Sequence, residues 1–467
     1  MSGLDDLTRE ELVELVLKLH ETVQGQRSEI AELKSVVQSQ ADRILALEEE
    51  VARLRGGRAS VELCVKPSVP KKEKGPRKKR KHSFSRHALG ATQVICHGVE
   101  KCPNCGRKLA GGHAKWRHQV VELPRVSAEV TDHLFFERRC GACGKRWTPD
   151  PAVVLAGVVV GKKSIGIGLM SVVAHLKTVC RVPVGQIRKL LETLYGLKIS
   201  AGGIAEILHD VAELGESVYE GLLGEVRGSP VVHADETGWR ENGVNGYIWS
   251  FSSPDVRYYT YRHSRGAIVA KEVLGEEFAG ALTCDFYAAY NFYEGVKQRC
   301  WVHLGRDLKA LVEKNPDLPD VAVWVNAVMD VYHRAKGSLE QKHTELDRSR
   351  LRANFERELL CLAKPYLKKK SEPQRVLAER ITGFIGELLA FVSNPEIPSE
   401  NNAAERAIRP AVVARKISGG TRSGRGSKTS SILRTLFETW SLQDRNTIDA
   451  CREMITRSTA IQPLSAQ

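Results

Sequence analysis

The chain lacks an apolar stretch long enough to cross a membrane. Its longest uninterrupted run, AVVLAGVVV from Ala152 to Val160, falls far short of the roughly 20 residues a span needs. The N-terminal MSGLDDLTREELVELV is acidic and amphipathic, so a targeting signal is not expected in it. A cytoplasmic protein is expected. Acid is also short, with 56 Asp and Glu against 70 Lys and Arg, a formal net charge of +14. The run KKEKGPRKKRK, Lys71 to Lys81, has one acid among eight bases, yet the chain without it is still basic. That balance points to a polyanionic partner, most simply nucleic acid. In a reducing compartment the eleven cysteines are not expected to form disulfides, and four of them stand in two C-x-x-C pairs.

What is present begins with a heptad. Val16, Val23, Ile30, Val37, Ile44 and Val51 share one position, and Leu12, Leu19, Gln26, Leu33, Gln40, Leu47 and Leu54 another. β-Branched residues at the first and leucine at the second favour a parallel two-stranded coiled coil, so a homodimer or higher parallel oligomer is expected. From Gly56 to about Gly90 the chain has too few apolar residues for a core and reads as a basic linker. Its Lys78, Lys79, Arg80 and Lys81 suit non-specific phosphate contact.

Cys102-Pro-Asn-Cys105-Gly and Cys140-Gly-Ala-Cys143-Gly each present two thiolates with a glycine behind them for the tight turn of a knuckle. Read together they predict a zinc ribbon holding one structural zinc, with strands in KWRHQVVELP and AEVTDHLFFERRC between the knuckles. Four cysteines close such a site, leaving no open position for metal catalysis. Residues 182–214 predict a helix, a glycine-containing turn, Ser200 as N-cap and a second helix, which is helix-turn-helix spacing; packing alone explains it equally well.

After Pro230 the periodicity changes. PVVHADETGWR, NGYIWSFSSP and VRYYTYRHS read as three consecutive strands, followed by the helix RGAIVAKEVLGEEF, a strand in GALTCDFYAAY, a further helix and a strand in VKQRCWVH. That order is the one found in ribonuclease H-like folds. It sets Asp235 and Asp285 at or near the ends of the first and fourth strands, which lie close together if those strands are neighbours. Two clustered carboxylates need cations, and oxygen ligands suit magnesium or manganese; two such ions serve in-line displacement at phosphorus. A third carboxylate is expected from a later helix. IPSENNAAERAIRPAVVARK offers Ser399 as N-cap, Glu400 in the first turn and Glu405 beyond it, with Arg406 and Arg409 alongside. Glu236 points to the opposite strand face and reads as structural. Cys300 and His303 form half of a possible metal site, but a lone C-x-x-H reads better as packing or hydrogen bonding.

HADETGWR, CDFYAAY with RCWVHLGRDL behind it, and NNAAERAIRP with SGGTRSGRG behind it resemble the insertion sequence 66 family of bacterial DDE-type transposases. The resemblance covers most of the chain, including the coil, the basic linker and the paired C-x-x-C motifs. It implies Asp235, Asp285 and Glu405 as a catalytic and magnesium-binding (or manganese-binding) triad, with Glu400 as a minor rival to Glu405. It also implies two-metal strand cleavage and transfer, DNA element ends and target DNA as partners, and accessory proteins of the same element. Bound to DNA, such a protein would associate with the bacterial nucleoid.

The acid-free ARKISGGTRSGRGSKTS carries Arg415, Lys416, Arg422, Arg425 and Lys428, with glycines and serines that would let the backbone approach a phosphate. The expected organisation is multidomain α+β: coiled coil 1–55, linker 56–90, zinc ribbon 91–150, helical helix-turn-helix-like DNA-binding domain 151–228, ribonuclease H-like core 229–304, helical insertion 305–392, and the last catalytic helix with a basic C-terminal region 393–467. A non-catalytic zinc-containing DNA-binding regulator, or a decayed transposase, would share the charge, coil and ribbon. Only the carboxylates separate it from an enzyme.

Overall fold

The computed structural model describes residues 89–461 apart from 125 and 162, together with 8–10, 13–14, 17–18 and 20–26. Residues 20–26 are helical; most of the heptad positions, and all of Lys78, Lys79, Arg80 and Lys81, lie outside the described residues. The chain divides into two compact units, Met1–Val121 and Glu122–Gln467. No helix among the described residues is long and apolar enough to cross a membrane.

The two cysteine pairs fall in different units and adopt the same local form. In the first unit, Gly106 donates its N–H to the Cys102 carbonyl at 2.8 Å, with Gly106 at φ +75. In the second, Gly144 donates to the Cys140 carbonyl at 2.9 Å, with Gly144 at φ +69. Glycine is needed at both turns because that backbone region is costly for a residue with a Cβ. The second knuckle is flanked by β1 (Arg138–Arg139) and β2 (Arg146–Trp147), paired antiparallel. The longer strands expected between the knuckles do not form among the described residues; β1 is the whole of that prediction that survives. Apolar residues there such as Trp116, Leu123 and Leu134 are exposed, so the described residues offer no buried face to hold a strand register.

In the second unit α1 (Ile167–Thr178), α2 (Val184–Tyr195), α3 (Ala201–Leu214) and α4 (Glu216–Arg227) precede the sheet. Gly196 at φ +67 ends α2, and Ser200 caps α3 by accepting the Gly203 N–H at 3.0 Å. The α2–α3 pair therefore has the expected spacing. However, α3 buries Ile204, Ile207, Leu208 and Val211, and its exposed Glu206 and Glu213 are acidic.

The sheet contains β3 (Val231–Glu241), β4 (Val244–Ser252), β5 (Arg257–Arg262), β6 (Ala281–Cys284) and β7 (Lys297–Arg299) in the order β5-β4-β3-β6-β7. β3, β4 and β5 form an antiparallel meander, while β6 and β7 run parallel to β3. Asn242 and Gly243, at φ +48 and +83, make the tight β3–β4 turn. Between β5 and β6 lies α5 (Ala267–Leu274), as expected. The second expected helix, between β6 and β7, is a single 3-10 turn at Ala288–Tyr290, because only twelve residues separate the two strands.

Alternation gives the sheet two apolar faces. Val232, Ala234, Trp249, Phe251 and Tyr258 join one core with α1, α3 and α5. Trp239, Ile248 and Tyr259 face the other way, against Ala407, Ile408 and Ala411 of α10 (Asn402–Ser418). The edge strand β5 is covered by α11 (Gly424–Leu442), followed by α12 (Thr447–Ile461). Thr435 Oγ1 accepts the Tyr259 N–H at 2.8 Å and Thr439 Oγ1 accepts that of Arg257 at 3.1 Å, so hydroxyls complete a ladder that has no further strand.

Between β7 and α10 the expected helical insertion is present as α6 (Trp301–Lys314), α7 (Pro319–Gly337), α8 (Glu345–Ala363) and α9 (Arg375–Gly383), with shorter turns after them. It has its own core, including Trp301, Trp324, Phe355 and Phe391. Its end docks on β7: Gln298 Nε2 donates to the Leu388 carbonyl at 2.9 Å, and the Phe391 N–H donates to Gln298 Oε1 at 3.1 Å.

Candidate active site

Asp235 is the fifth residue of β3, on the face turned toward α10. The parallel register pairs Val231 with Ala281 and His233 with Thr283; carried two residues further, it sets Asp235 beside Asp285, just past the end of β6. Asp285 is held in its turn by two bonds. Its Oδ1 accepts the Tyr287 N–H at 2.8 Å, and its carbonyl accepts Arg299 Nη1 at 2.7 Å.

Glu405 arrives on the first turn of α10. Two expected details of that helix differ. It starts at Asn402 with Asn401 in the cap position, so Ser399 is not its N-cap and Glu400 precedes it. Ser399 instead accepts the Trp301 N–H through its carbonyl at 3.0 Å, and Glu400 faces Lys336 at 4.0 Å. The reason is Asn401, which is buried. It donates Nδ2 to the Ala234 carbonyl at 2.8 Å, meets His233 Nδ1 through Oδ1 at 3.0 Å, and gives its N–H to Cys300 Sγ at 3.1 Å. Those bonds fix where the helix begins.

The three carboxylates interact. Burial pushes the Asp235 carboxyl from 3.8 up to about 7, and the charges of Glu236, Asp285 and Glu405 push in the same direction. Among the described residues neither Asp235 nor Asp285 is in an ion pair. Glu405 has Arg306 Nη2 at 3.2 Å from Oε2 and His303 Nδ1 at 3.8 Å from Oε1. Both Oε1 and that Nδ1 are buried without a hydrogen-bond partner. A buried Asp235 with two further carboxylates acting on it suits divalent cations with oxygen preference.

Glu236 turns to the other face, as its strand position predicts. It takes Arg265 Nη2 at 2.8 Å and the Tyr290 hydroxyl at 2.7 Å, so its charge is already matched. Cys300, wholly buried, caps α6; one donor atom each from Cys300, His303 and Glu405 lies within 4.8 Å of the other two. Asn401, Arg265 and Arg306 were not anticipated as site residues. Arg306 was legible, since it stands three after His303 on the same helix.

The basic segment differs from the expected phosphate-cradling loop. Ala414 to Ser418 end α10, and α11 begins at Gly424 with Ser423 accepting the Gly426 N–H at 3.1 Å. A Cβ on Gly420, at φ +138, would lie 2.1 Å from the Arg240 carbonyl oxygen, so this glycine serves the close approach of two protein segments. Thr421 then donates its N–H to that carbonyl at 2.9 Å. Arg415 is partly buried, bonded to the Gly238 carbonyl and to Thr237 Oγ1. Arg425 pairs with Glu206 at 3.1 Å and Glu213 at 3.0 Å, and Lys428 with Glu216. Arg406, Arg409, Lys416 and Arg422 are exposed.

At the knuckles, N–H groups of Cys105 and then Asn104 hold the Cys102 thiol below its ordinary range, and those of Cys143 and Ala142 do the same for Cys140. Donors aimed at sulfur favour thiolate, the form that binds zinc.

A mixed α/β unit, in which the charges of Asp285 and Glu405 reach Asp235 on a mixed sheet, is thus the framework to be placed. The family described as Transposase IS66 family matches residues 162–429, more than half of the chain, and the chain belongs to that family. Among curated proteins of Sinorhizobium fredii (strain NBRC 101917 / NGR234), the chain is 32% identical over 154 residues to uncharacterized protein y4jO, covering 32% of this chain and 45% of that one. It is 22% identical over 292 residues to uncharacterized protein y4qI, covering 56% of this chain and 54% of that one. The chain spans about half the length of the curated relatives it matches.

Proposed function

We propose that this protein is a DDE-type DNA transposase with Asp235, Asp285 and Glu405 as its catalytic carboxylates. One observation carries the reading: Asp235 is a buried carboxyl whose proton affinity is raised by burial, by Glu236 and by both of the other two, with no ion-pair partner among the described residues. The sheet order β5-β4-β3-β6-β7, with an antiparallel meander and two parallel strands, supports a ribonuclease H-like core. Membership of a transposase family supports DNA as the substrate.

Magnesium or manganese, when bound, supplies charge neutralisation and activation of a nucleophile at phosphorus. The protein's own work is positional. β3 and the turn after β6 hold two carboxylates on a rigid sheet, and Asn401 fastens the helix bearing Glu405 to the strand bearing Asp235. No protein general base is required of this arrangement. Arg406, Arg409, Lys416 and Arg422, exposed on α10 and after it, are suited to the DNA backbone. Zinc at Cys102, Cys105, Cys140 and Cys143 is supported by the matching knuckles, while one ion shared by all four rests on their spacing. Dimerisation through residues 10–55 rests on the heptad alone.

The test uses full-length protein and labelled DNA from the flanks of its own coding locus, with magnesium or manganese. Wild type should yield cleaved and joined strands. Asp235→Asn, Asp285→Asn and Glu405→Gln should each lose products by several orders of magnitude while still binding DNA. Products that survive Glu405→Gln would remove Glu405 from the triad. Binding by wild type without products, even when the element's accessory proteins are added, would favour a non-catalytic DNA-binding regulator.

A further inference from the structure

The C-x-x-H at Cys300 and His303 is half of a metal set by sequence, and the fold brings a third donor from more than a hundred residues away. Cys300 Sγ, a nitrogen of His303 and a carboxylate oxygen of Glu405 converge within 4.8 Å. In a tetrahedral zinc site, bond lengths of about 2.3 Å to sulfur and 2.0 Å to nitrogen or oxygen put donors roughly 3.3–3.5 Å apart. His303 Nδ1 and Glu405 Oε1 are already 3.8 Å apart. Both atoms are buried and neither has a hydrogen-bond partner. Sulfur here accepts an N–H from Asn401 at 3.1 Å and sits at the start of α6, beside His303 one turn on.

We infer that Cys300, His303 and Glu405 form a second cation site, selective for a thiophilic divalent ion such as zinc, whose occupation withdraws Glu405 from the other two carboxylates. The donor set decides the selectivity. Thiolate and imidazole favour zinc, cobalt or cadmium, whereas magnesium prefers oxygen and would leave Cys300 and His303 unused. Three protein donors leave a fourth position for water. With Oε1 drawn toward His303 and Oε2 held by Arg306, both oxygens of Glu405 are engaged by α6, and neither is left for an ion at Asp235. Zinc is then an inhibitor of a magnesium-dependent reaction. The inhibitory half of this inference rests on Glu405 being the third catalytic carboxylate; the binding half does not.

The experiment separates the two. Full-length wild type, Cys300→Ser and His303→Asn, each checked for an unchanged melting temperature, are titrated with cobalt(II) and with zinc. His303 is partly exposed, which guards against the loss of fold that substitution of the wholly buried Cys300 risks. Wild type should bind one more equivalent than either variant and show additional near-ultraviolet thiolate-to-cobalt absorption. In magnesium-driven strand cleavage, with each protein normalised to its own zinc-free rate, the zinc concentration for half inhibition should rise about tenfold or more in both variants. Equal stoichiometry and spectra in all three proteins would overturn the site. An extra equivalent without stronger inhibition of wild type would overturn the withdrawal of Glu405. Cleavage that persists in Glu405→Gln, with the extra equivalent present in wild type, would defeat the triad and the inhibition together and leave the binding site standing.

Discussion

Asn401 donates its side-chain N–H to the carbonyl of Ala234 at 2.8 Å, and so ties the start of the helix that bears Glu405 to the residue just before Asp235. The same side chain meets His233, and its backbone N–H is spent on Cys300. Two carboxylates far apart in sequence are thereby held in one place by a neutral amide.

Asn401→Ala should therefore damage both fold and activity. It leaves the Ala234 carbonyl and His233 Nδ1 without that partner in a buried setting, which costs about 1–3 kcal/mol. Urea unfolding should give that loss. Strand cleavage should fall more than stability does, because Glu405 loses its positioning. Asn401→Asp would restore acceptance toward His233 but not donation to Ala234, and should rescue little.

Asp235 makes the metal-free protein sensitive to pH. Its carboxyl titrates near 7 in the fold against 3.8 ordinarily, so the folded state binds more protons than the unfolded state between those values. Stability without metal is therefore highest below about pH 4 as far as this group is concerned, and declines as pH rises toward 7. The total effect is on the order of a few kcal/mol. Comparison of melting temperatures for wild type and Asp235→Asn from pH 5 to 8 should show the variant gaining relative stability with pH. Added manganese should reverse the trend in wild type alone; a parallel pH course for both proteins would contradict this account.

Glu236 stands next to Asp235 but already has Arg265 and Tyr290 as partners. Glu236→Gln should retain strand cleavage, in contrast to Asp235→Asn. Its charge is one of the causes raising the Asp235 carboxyl, so the variant should titrate Asp235 at lower pH. Stability should fall by about 1–2 kcal/mol, because the Arg265 side of the pair can return to water.

Gly420→Ala tests the basic segment's geometry. A Cβ there meets the Arg240 carbonyl oxygen at 2.1 Å, and φ +138 is a region that L residues rarely adopt. The expected loss is about 3 kcal/mol or more, read as a lower melting temperature or insoluble expression.

Within the same segment the arginines should separate. Arg422 is exposed, whereas Arg425 is engaged by Glu206 and Glu213. If Arg422 touches a phosphate, Arg422→Ala should reduce the salt dependence of DNA binding by about one phosphate contact, while Arg425→Ala should leave it nearly unchanged. Equal effects would mean that DNA displaces both glutamates.

Local chemistry made much of this protein legible before any folding. Period-two alternation marked β3, β4 and β5, and it also set Asp235 and Glu236 on opposite faces, since neighbouring strand residues must point apart. The Cys-x-x-Cys-Gly pairs foretold two identical knuckles, because a thiol pair at that spacing needs a glycine turn. Ser200 announced its helix by the same kind of short-range rule. What tertiary structure decided was every relation that spans the chain. The local signal made Ser399 the N-cap of α10 with Glu400 in its first turn, and a buried amide bonded to β3 moved the cap to Asn401 and the start to Asn402. Arg415 and Arg425 carry the same charge as Arg422, yet only the fold supplies their carbonyl and carboxylate partners. Glu405 comes within reach of Cys300 and His303, and its charge is felt at Asp235, for the same reason: burial and electrostatic partnership depend on which distant segments the core draws together, and no local period encodes them.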